Sequence, residues 1–206
     1  MSPLEKSNPP PAPPTITLPE EGSTTGVATL LLGSGIPDAL VQVWSIEYGN
    51  ALGGGKVSAN GRWAFSIGGA QSTGEQGIHA RQTWEGVPSE WSAERRYTVV
   101  LRPEINVPVV FEPEEGEQVN TLPFFSGDVT QAEGFVNIID LDTNKVIAKA
   151  DVDTLKRWRA QVTKPLAPGL HRTSAIHNID GKVSDWGRVR TFTVTAKGKG
   201  KGKGKT

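Results

Sequence analysis

The chain has 206 residues, with 22 basic and 22 acidic side chains and no cysteine. The absence of cysteine excludes disulfides and cysteine-based zinc sites, and no apolar run approaches the roughly 18 residues of a transmembrane helix. Five of the lysines are confined to the C-terminal tail, so acidic residues outnumber basic ones by five elsewhere, which gives the body of the chain no attraction to nucleic acid.

Residues 1–14 form a proline-rich arm that ends in NPPPAPP. Consecutive prolines lack amide hydrogens and favour extended polyproline II, so we expect this arm to be disordered or semi-rigid. It has no charged segment followed by an apolar one, so we expect no secretory signal peptide in this chain. An extracellular or cell-surface location would then need another export route or a leader that this chain lacks, and a cytoplasmic location stays open.

The chain between the arm and the tail contains two copies of one pattern. Trp63 lies in the alternating segment RWAFSI, and Trp158 lies in RWRAQV, 95 residues further on. The same offset relates GVPSEWSAERRYTV, which starts at Gly86, to GKVSDWGRVRTFTV, which starts at Gly181. Alternation with a period of two predicts half-buried strands, with both tryptophans in the cores.

We therefore predict two all-β domains, at residues 15–101 and 102–195, each an antiparallel sandwich of about seven strands. One strand departs from the common offset. GIHA at 77–80 matches GLHR at 169–172, with an offset of 92, which predicts that His79 and His171 occupy like places at a sheet end.

These motifs resemble the bacterial Ig-like repeat family. The first copy carries ANGRWAFSI, GIHARQTWEGVPSEWS and RRYTV, and the second carries KRWRAQV, PLAPGLHRTSA, DGKVSDW and RTFTV, so the resemblance covers about residues 15–195. It implies Ig-like sandwiches of the kind found in bacterial surface proteins, adhesins and modular secreted proteins. Such domains act as spacers or as binding modules for glycans or proteins, and they are rarely catalytic.

Residues that could carry catalysis or metal binding are few. His79, His171 and His177 match no zinc-binding spacing, and no serine lies in a nucleophile elbow. The segment DLDTN at 140–144 begins like a calcium loop, but Lys145 stands where that loop needs glycine, so a hairpin turn is favoured. We therefore expect no enzyme activity, no cofactor and no metal.

The six tryptophans separate into three groups. Trp63 and Trp158 are expected in the cores. Trp91 and Trp186 recur after serine and an acidic residue, and we expect them to form structural clasps under guanidinium groups of the following strands. The arginines in question are Arg95, Arg96, Arg188 and Arg190.

The candidate ligand-binding residues are Trp44, Trp84 and Gln42, because the second copy has Ile139 and Ile179 in place of the two tryptophans. Trp44 shares a strand face with Gln42, opposite Val41 and Val43. An exposed tryptophan on a sandwich is a plausible platform for a sugar ring or a partner side chain. Packing under a loop or against the neighbouring domain is the alternative for both.

The tail at 196–206 alternates glycine with lysine, and we expect it to be disordered. Its lysines could screen phosphates, but no aromatic residues are interleaved to stack bases, so a solubilising end or one that touches an anionic cell surface is favoured. These lysines are Lys197, Lys199, Lys201, Lys203 and Lys205.

Two functions remain open from the sequence. The first is a non-catalytic tandem binding or adhesion module of a bacterial surface or secreted protein, which recognises a glycan or a cell-surface protein through exposed aromatics or end loops. The second is a spacer that presents another component and has no ligand of its own. The sequence leaves the oligomeric state open.

Overall fold

The computed structural model describes residues 9–69, 71–101 and 105–196. Its chain divides into two compact units at Val100 and Leu101, with Ala28–Leu30 grouped with the second unit. The lysine tail and the first eight residues of the proline-rich arm lie outside the described residues. The described residues form no helix long and apolar enough to cross a membrane.

The first unit is built from nine strands among the described residues. They are β1 (Thr15–Leu18), β2 (Thr24–Thr25), β3 (Leu30–Ser34), β4 (Leu40–Ser45), β5 (Ala51–Lys56), β6 (Arg62–Ser66), β7 (Gly74–Trp84), β8 (Val87–Pro88) and β9 (Arg95–Val99). One sheet has the order β1-β3-β6, and the other has the order β2-β9-β7-β4-β5 with β8 paired to β7. The short strand β2 runs parallel to β9.

The second unit repeats this arrangement. Its strands are β10 (Val109–Glu112), β11 (Glu117–Val119), β12 (Phe124–Asp128), β13 (Phe135–Asp140), β14 (Lys145–Asp151), β15 (Arg157–Gln161), β16 (Gly169–Ile179), β17 (Lys182–Val183) and β18 (Arg190–Val194). The sheets are β10-β12-β15 and β11-β18-β16-β13-β14, with β17 paired to β16. The prediction of two tandem all-β sandwiches is confirmed.

Each unit has its own core around one tryptophan. Trp63 is fully buried in the first unit and Trp158 is 3% exposed in the second, as the alternating segments predict. A glycine lies against each indole. A Cβ atom on Gly33 would lie 2.4 Å from Cζ2 of Trp63, and one on Gly127 would lie 2.6 Å from Cζ2 of Trp158. The close packing of these rings therefore depends on glycine at both positions.

The strand pairing fixes which residues of the two units are equivalent. Trp44 lies opposite His79, and Ile139 lies opposite Ser174, so His79 corresponds to Ser174 at the common offset of 95. The predicted equivalence of His79 and His171 is wrong. The short motif with glycine and histidine misled the alignment, because cross-strand register and not local similarity places these side chains.

The end of the proline-rich arm packs against the first unit. Pro14 is buried, and the carbonyl oxygen of Ala12 accepts a hydrogen bond of 2.6 Å from Nε2 of Gln82. The carboxamide of Gln82 also accepts a hydrogen bond from the amide of Ile36 at 2.9 Å. A buried side chain of β7 therefore holds the backbone of the arm at Ala12.

Candidate functional site

The outer face of the larger sheet of the first unit carries a cluster of aromatic and basic side chains. On β4, Val41 and Val43 are buried, and the alternate residues Gln42 and Trp44 lie on the other face, as the sequence pattern predicts. The pairing with β7 sets Trp44 opposite His79 and Gln42 opposite Arg81. We call this surface the Trp44 face; its residues are Leu40, Gln42, Trp44, His79, Arg81 and Trp91.

Trp91 comes from the segment that follows β8 and packs onto this surface. Its ring stacks on the imidazole of His79, with centroids 3.9 Å apart and ring planes 6° from parallel. The guanidinium carbon of Arg81 lies 4.9 Å from the Trp91 ring centre. Trp44 meets Trp91 edge to face, with centroids 6.2 Å apart. Such stacked and edge-to-face arrangements are the favoured geometries of aromatic pairs.

Two serines hold the Trp91 segment against β7. The amide of Ser89 donates to the carbonyl of Gln82 at 2.8 Å, and the amide of Gln82 donates to Oγ of Ser89 at 3.0 Å. Ser92 makes the same pair of bonds with Ala80, at 2.7 and 3.0 Å. The serines on either side of Trp91 therefore fix the height of its ring over the strand.

The second unit keeps part of this clamp. The amide of Ser184 donates to the carbonyl of His177 at 2.8 Å, and the amide of His177 donates to Oγ of Ser184 at 2.9 Å. Gly187 replaces the second serine, and its amide donates to the carbonyl of Ala175. The bonds that Ser89 and Ser184 make to the neighbouring strand give a physical reason for the serine that recurs in both copies.

The arginines predicted to cover the clasp tryptophans have other partners. Arg95 donates to the carbonyl of Ile16 at 2.8 Å, and Arg190 donates to the carbonyl of Val110 at 2.6 Å. Arg96 pairs with Glu47 and Glu94 at 3.3 and 3.1 Å.

The prediction that an arginine of the following strand covers each of these tryptophans is therefore wrong. Arg81, on the strand beside Trp91, supplies the guanidinium, since the contact crosses strands. Within the described ranges, no cation lies over the ring of Trp186, so Arg188 does not cover it either.

The strand next to the Trp44 face has small residues in the first unit. Gly54 lies opposite Gln42, and Ala51 lies opposite Trp44, where the register shifts at a bulge. In the second unit, Lys149 lies opposite Asn137 and its ammonium nitrogen lies 3.6 Å from the Phe135 ring centre. Beside Gln42 and Trp44 the face is therefore open on the β5 side, whereas the long side chain of Lys149 covers the corresponding place in the second unit.

Gln42 and Trp44 differ in exposure. Gln42 is exposed, and its Oε1 accepts a long hydrogen bond of 3.4 Å from Arg81. Trp44 is half-buried, and its Nε1 is buried without an acceptor among the described residues, as is Nε of Arg81. Both donors can therefore still form a hydrogen bond with water or with a bound molecule.

Trp84 does not join this cluster. Because side chains alternate along β7, Trp84 lies on the same face of the sheet as the buried residues Ile78, Ala80 and Gln82. His79 and Arg81 lie on the other face. It lies at the end of β7, opposite Val87 of β8, and is 38% exposed. The two candidate tryptophans therefore lie on opposite faces of the sheet and do not form one surface.

The other histidines serve the second unit. Nδ1 of His171 lies 3.3 Å from Oδ2 of the buried Asp140, and Nε2 of His171 lies 2.8 Å from the carbonyl oxygen of Ala167. The hydrogen bond to Asp140 raises the pKa of His171 against the opposing effect of burial. Burial opposes ionisation of Asp140, but the hydrogen bonds from His171 and from the Thr143 amide outweigh it and lower the pKa of that carboxyl.

The calcium-like segment DLDTN is the turn between β13 and β14. Oδ1 of Asp140 accepts the amides of Asp142 and Thr143 at 2.9 and 2.8 Å, and Asp142 pairs with the buried Arg172. Across the part of the chain that the structure describes, no group of three or more histidine, aspartate or glutamate side chains is placed to hold a metal ion. The carboxylates of this turn are thus used within the fold.

No protein-family model and no curated protein sequence matches the chain. Solved structures similar to it include the BSP domain of a biofilm-associated protein, with 18% identity and a TM-score of 0.35 over 90% of this chain and 30% of that chain. The fibronectin(III)-like modules of Clostridium thermocellum CbhA have 13% identity and a TM-score of 0.35 over 89% of this chain and 94% of theirs.

A third similar structure is the dimeric latent PorU from Porphyromonas gingivalis, with 14% identity and a TM-score of 0.39 over 90% of this chain and 20% of that chain. The chain thus spans less than a third of the length of two of these proteins. At these identities the likeness concerns the fold alone.

Proposed function

We propose that the chain is a non-catalytic tandem β-sandwich module that recognises a protein partner through the Trp44 face. Two β-sandwich units with separate cores support a modular, non-enzymatic role. The proposed place of action is the bacterial cell surface or the outside of the cell, which is what the resemblance to bacterial Ig-like repeats implies.

The observation that carries this proposal is the difference between two units of the same fold. Trp44, His79 and Arg81 of the first unit correspond to Ile139, Ser174 and Ile176 of the second, by strand register. The second unit forms its sandwich without the aromatic and basic side chains. A sandwich of this kind therefore forms without these three side chains, which supports a role in binding for them.

The chemistry of the face favours a protein over a sugar. Tryptophan and arginine are the side chains that contribute most at protein interfaces. The ring of Trp91 already contacts His79 and Arg81 of its own chain, so it is not a free platform for a sugar ring. Leu40, which is 57% exposed, adds an apolar edge beside Gln42.

A photo-crosslinking experiment in the native host tests the proposal. A photoreactive amino acid replaces Leu40 in one variant and Val146 in the control, since Val146 is 55% exposed on the corresponding sheet of the second unit, where it lies opposite Ile139. We expect one protein to crosslink from position 40 and not from position 146. That purified protein should then bind the full chain and lose at least about tenfold affinity with Leu40→Asp, but not with Val146→Asp.

Other outcomes would replace the proposal. Binding on a glycan array that depends on Gln42 and Trp44, without a protein crosslink, would assign the face to a glycan. Absence of any crosslink and any array binding would leave the chain as a spacer.

A further inference from the structure

A cleft of about 470 Å³ opens on the second unit, away from the site discussed above. It lies on the outer face of the sheet β10-β12-β15, and the end of β14 with the turn after it forms one of its walls. Its volume falls within the range of about 300–1,000 Å³ that is typical of small-ligand sites. We call it the Phe111 cleft, after the aromatic side chain at its other wall.

The floor of the cleft alternates groups that donate and groups that accept hydrogen bonds. Asp128 of β12 lies opposite Arg157 of β15, and Ser126 lies opposite Arg159. Strand alternation sends all four side chains to the outer face, because the buried Trp158 lies between the two arginines and a Cβ on Gly127 would face its indole in the core. Guanidinium donors and carboxylate acceptors therefore lie side by side on a rigid sheet.

The walls add one aromatic ring and two further carboxylates. Phe111 is 51% exposed at a bulge in β10, and Asp151 and Asp153 line the opposite side. Asp153 pairs with Arg157 at 3.5 Å and accepts the amides of Leu155 and Arg157, each at 2.8 Å. It is thus committed to the fold.

Two of the carboxylates in the cleft are uncommitted. Within the described residues, the side chains of Asp128 and Asp151 make no hydrogen bond or ion pair, although both line the cleft. Arg159 lies over the ring of Phe124 at 4.6 Å and forms no ion pair with described residues. Asp128, Asp151 and Arg159 therefore have hydrogen-bonding capacity left for a ligand.

The first unit lacks such a site at the same place. Gly33 and Gly127, which pack against the core tryptophans, are equivalent positions of the two units. Counting along the paired strands from these glycines makes Phe111 equivalent to Thr17, and Ser126 equivalent to Leu32. Arg159 corresponds to Ala64, which is buried, as is Leu32. The sandwich of the first unit therefore folds without the charged cleft, which is specific to the second unit.

We propose that the Phe111 cleft binds a neutral saccharide. The cleft has three carboxylates and two guanidinium groups, so its charge is nearly balanced and an anionic ligand is disfavoured. A sugar hydroxyl both donates and accepts, which matches alternating carboxylates and guanidinium groups. The Phe111 ring offers an apolar wall to the C–H face of a pyranose.

Titration of the full chain with four trisaccharides tests this proposal. Binding is monitored by amide chemical shifts and by calorimetry. The probes are chitotriose, cellotriose, maltotriose and xylotriose. We expect at least one to shift amides of β12 and β15 with millimolar or tighter affinity. Phe111→Ala and Asp128→Asn should each weaken binding about tenfold or more, and raising the salt concentration should change the affinity less than about twofold.

The control variants separate this site from the Trp44 face. Leu40→Asp should leave sugar binding unchanged, and Phe111→Ala should leave crosslinking from position 40 unchanged. The proposal would be overturned if no probe binds, if binding does not depend on Phe111 and Asp128, or if only a cation such as spermidine binds with strong salt dependence. None of these results bears on the partner proposed for the first unit.

Discussion

The imidazole of His79 lies parallel to the indole of Trp91, with ring centres 3.9 Å apart. The two residues belong to different segments of the first unit, and the serines beside Trp91 hold them in register. This stack holds the segment after β8 against β7, on the surface that we propose to bind a partner.

Trp91→Ala should destabilise the first unit more than Trp84→Ala. The two side chains are almost equally exposed, at 37% and 38%, but only Trp91 has ring contacts among the described residues. We expect a loss of about 2 kcal/mol for Trp91→Ala and less than about 1 kcal/mol for Trp84→Ala, measured by denaturant unfolding. Equal losses would show that the stack contributes nothing to stability.

Gly33→Ala and Gly127→Ala should be strongly destabilising. The new Cβ would lie 1.9 Å from the Thr15 carbonyl oxygen at position 33, and 1.8 Å from the Val109 carbonyl oxygen at position 127, as well as against the core indole. Backbone pairing must shift in each case, so we expect a loss of about 3 kcal/mol or more in unfolding experiments. Gly68→Ala is the control, since its Cβ would meet no atom within 4 Å, and it should change stability by less than about 0.5 kcal/mol.

The stability of the second unit should depend on pH through His171 and Asp140. The raised pKa of His171 stabilises the folded state below the ordinary value of 6.5, and this contribution is lost as the pH rises through the folded value. The lowered pKa of Asp140 stabilises the folded state above 3.8, and this contribution is lost as the pH falls through the folded value. The pair is therefore most favourable between these two values.

His171→Gln should flatten the alkaline side of that profile, measured as the melting temperature of the second unit across the pH range. His79→Gln is the control, because it leaves the pair in place. The nearby Arg172–Asp142 pair is buried and unchanged in the variant. A wild-type profile with no fall above pH 6.5 would contradict the assignment.

Gln82→Leu should release the arm from the first unit. The variant leaves the Ala12 carbonyl and the Ile36 amide without their partner, so we expect a loss of about 2 kcal/mol and faster hydrogen exchange at Ile36. Gln161→Ala is the control, since that glutamine is exposed and makes one hydrogen bond of 3.4 Å. Unchanged exchange at Ile36 would show that the carboxamide does not anchor the arm.

Sequence patterns predicted the features that depend on local periodicity. The duplicated sandwich, the buried Trp63 and Trp158, and the shared face of Gln42 and Trp44 all follow from alternation along single strands. Contacts between strands were not predictable in this way. Arg81 was missed as the partner of Trp91, because the strand that carries it precedes Trp91 in sequence and the contact depends on register.

The Phe111 cleft was missed for the same reason. Its residues come from four strands and a turn, and nothing in the sequence shows that β12 pairs with β15. Gly33 and Gly127 were also missed, because the need for glycine arises only when the indole of another strand packs on it. Once the register is known, a position-by-position comparison of the two copies identifies the cleft by its differences and the two glycines by their recurrence.

The most direct test of the Trp44 face is to give the first unit the residues of the second. The triple variant Trp44→Ile, His79→Ser and Arg81→Ile reproduces what the second unit carries at these positions and should therefore fold. Its affinity for the protein that crosslinks from position 40 is measured against that of the wild-type chain. We predict that the folded variant loses at least about tenfold in affinity; full affinity in the folded variant would contradict the assignment of this face to partner binding.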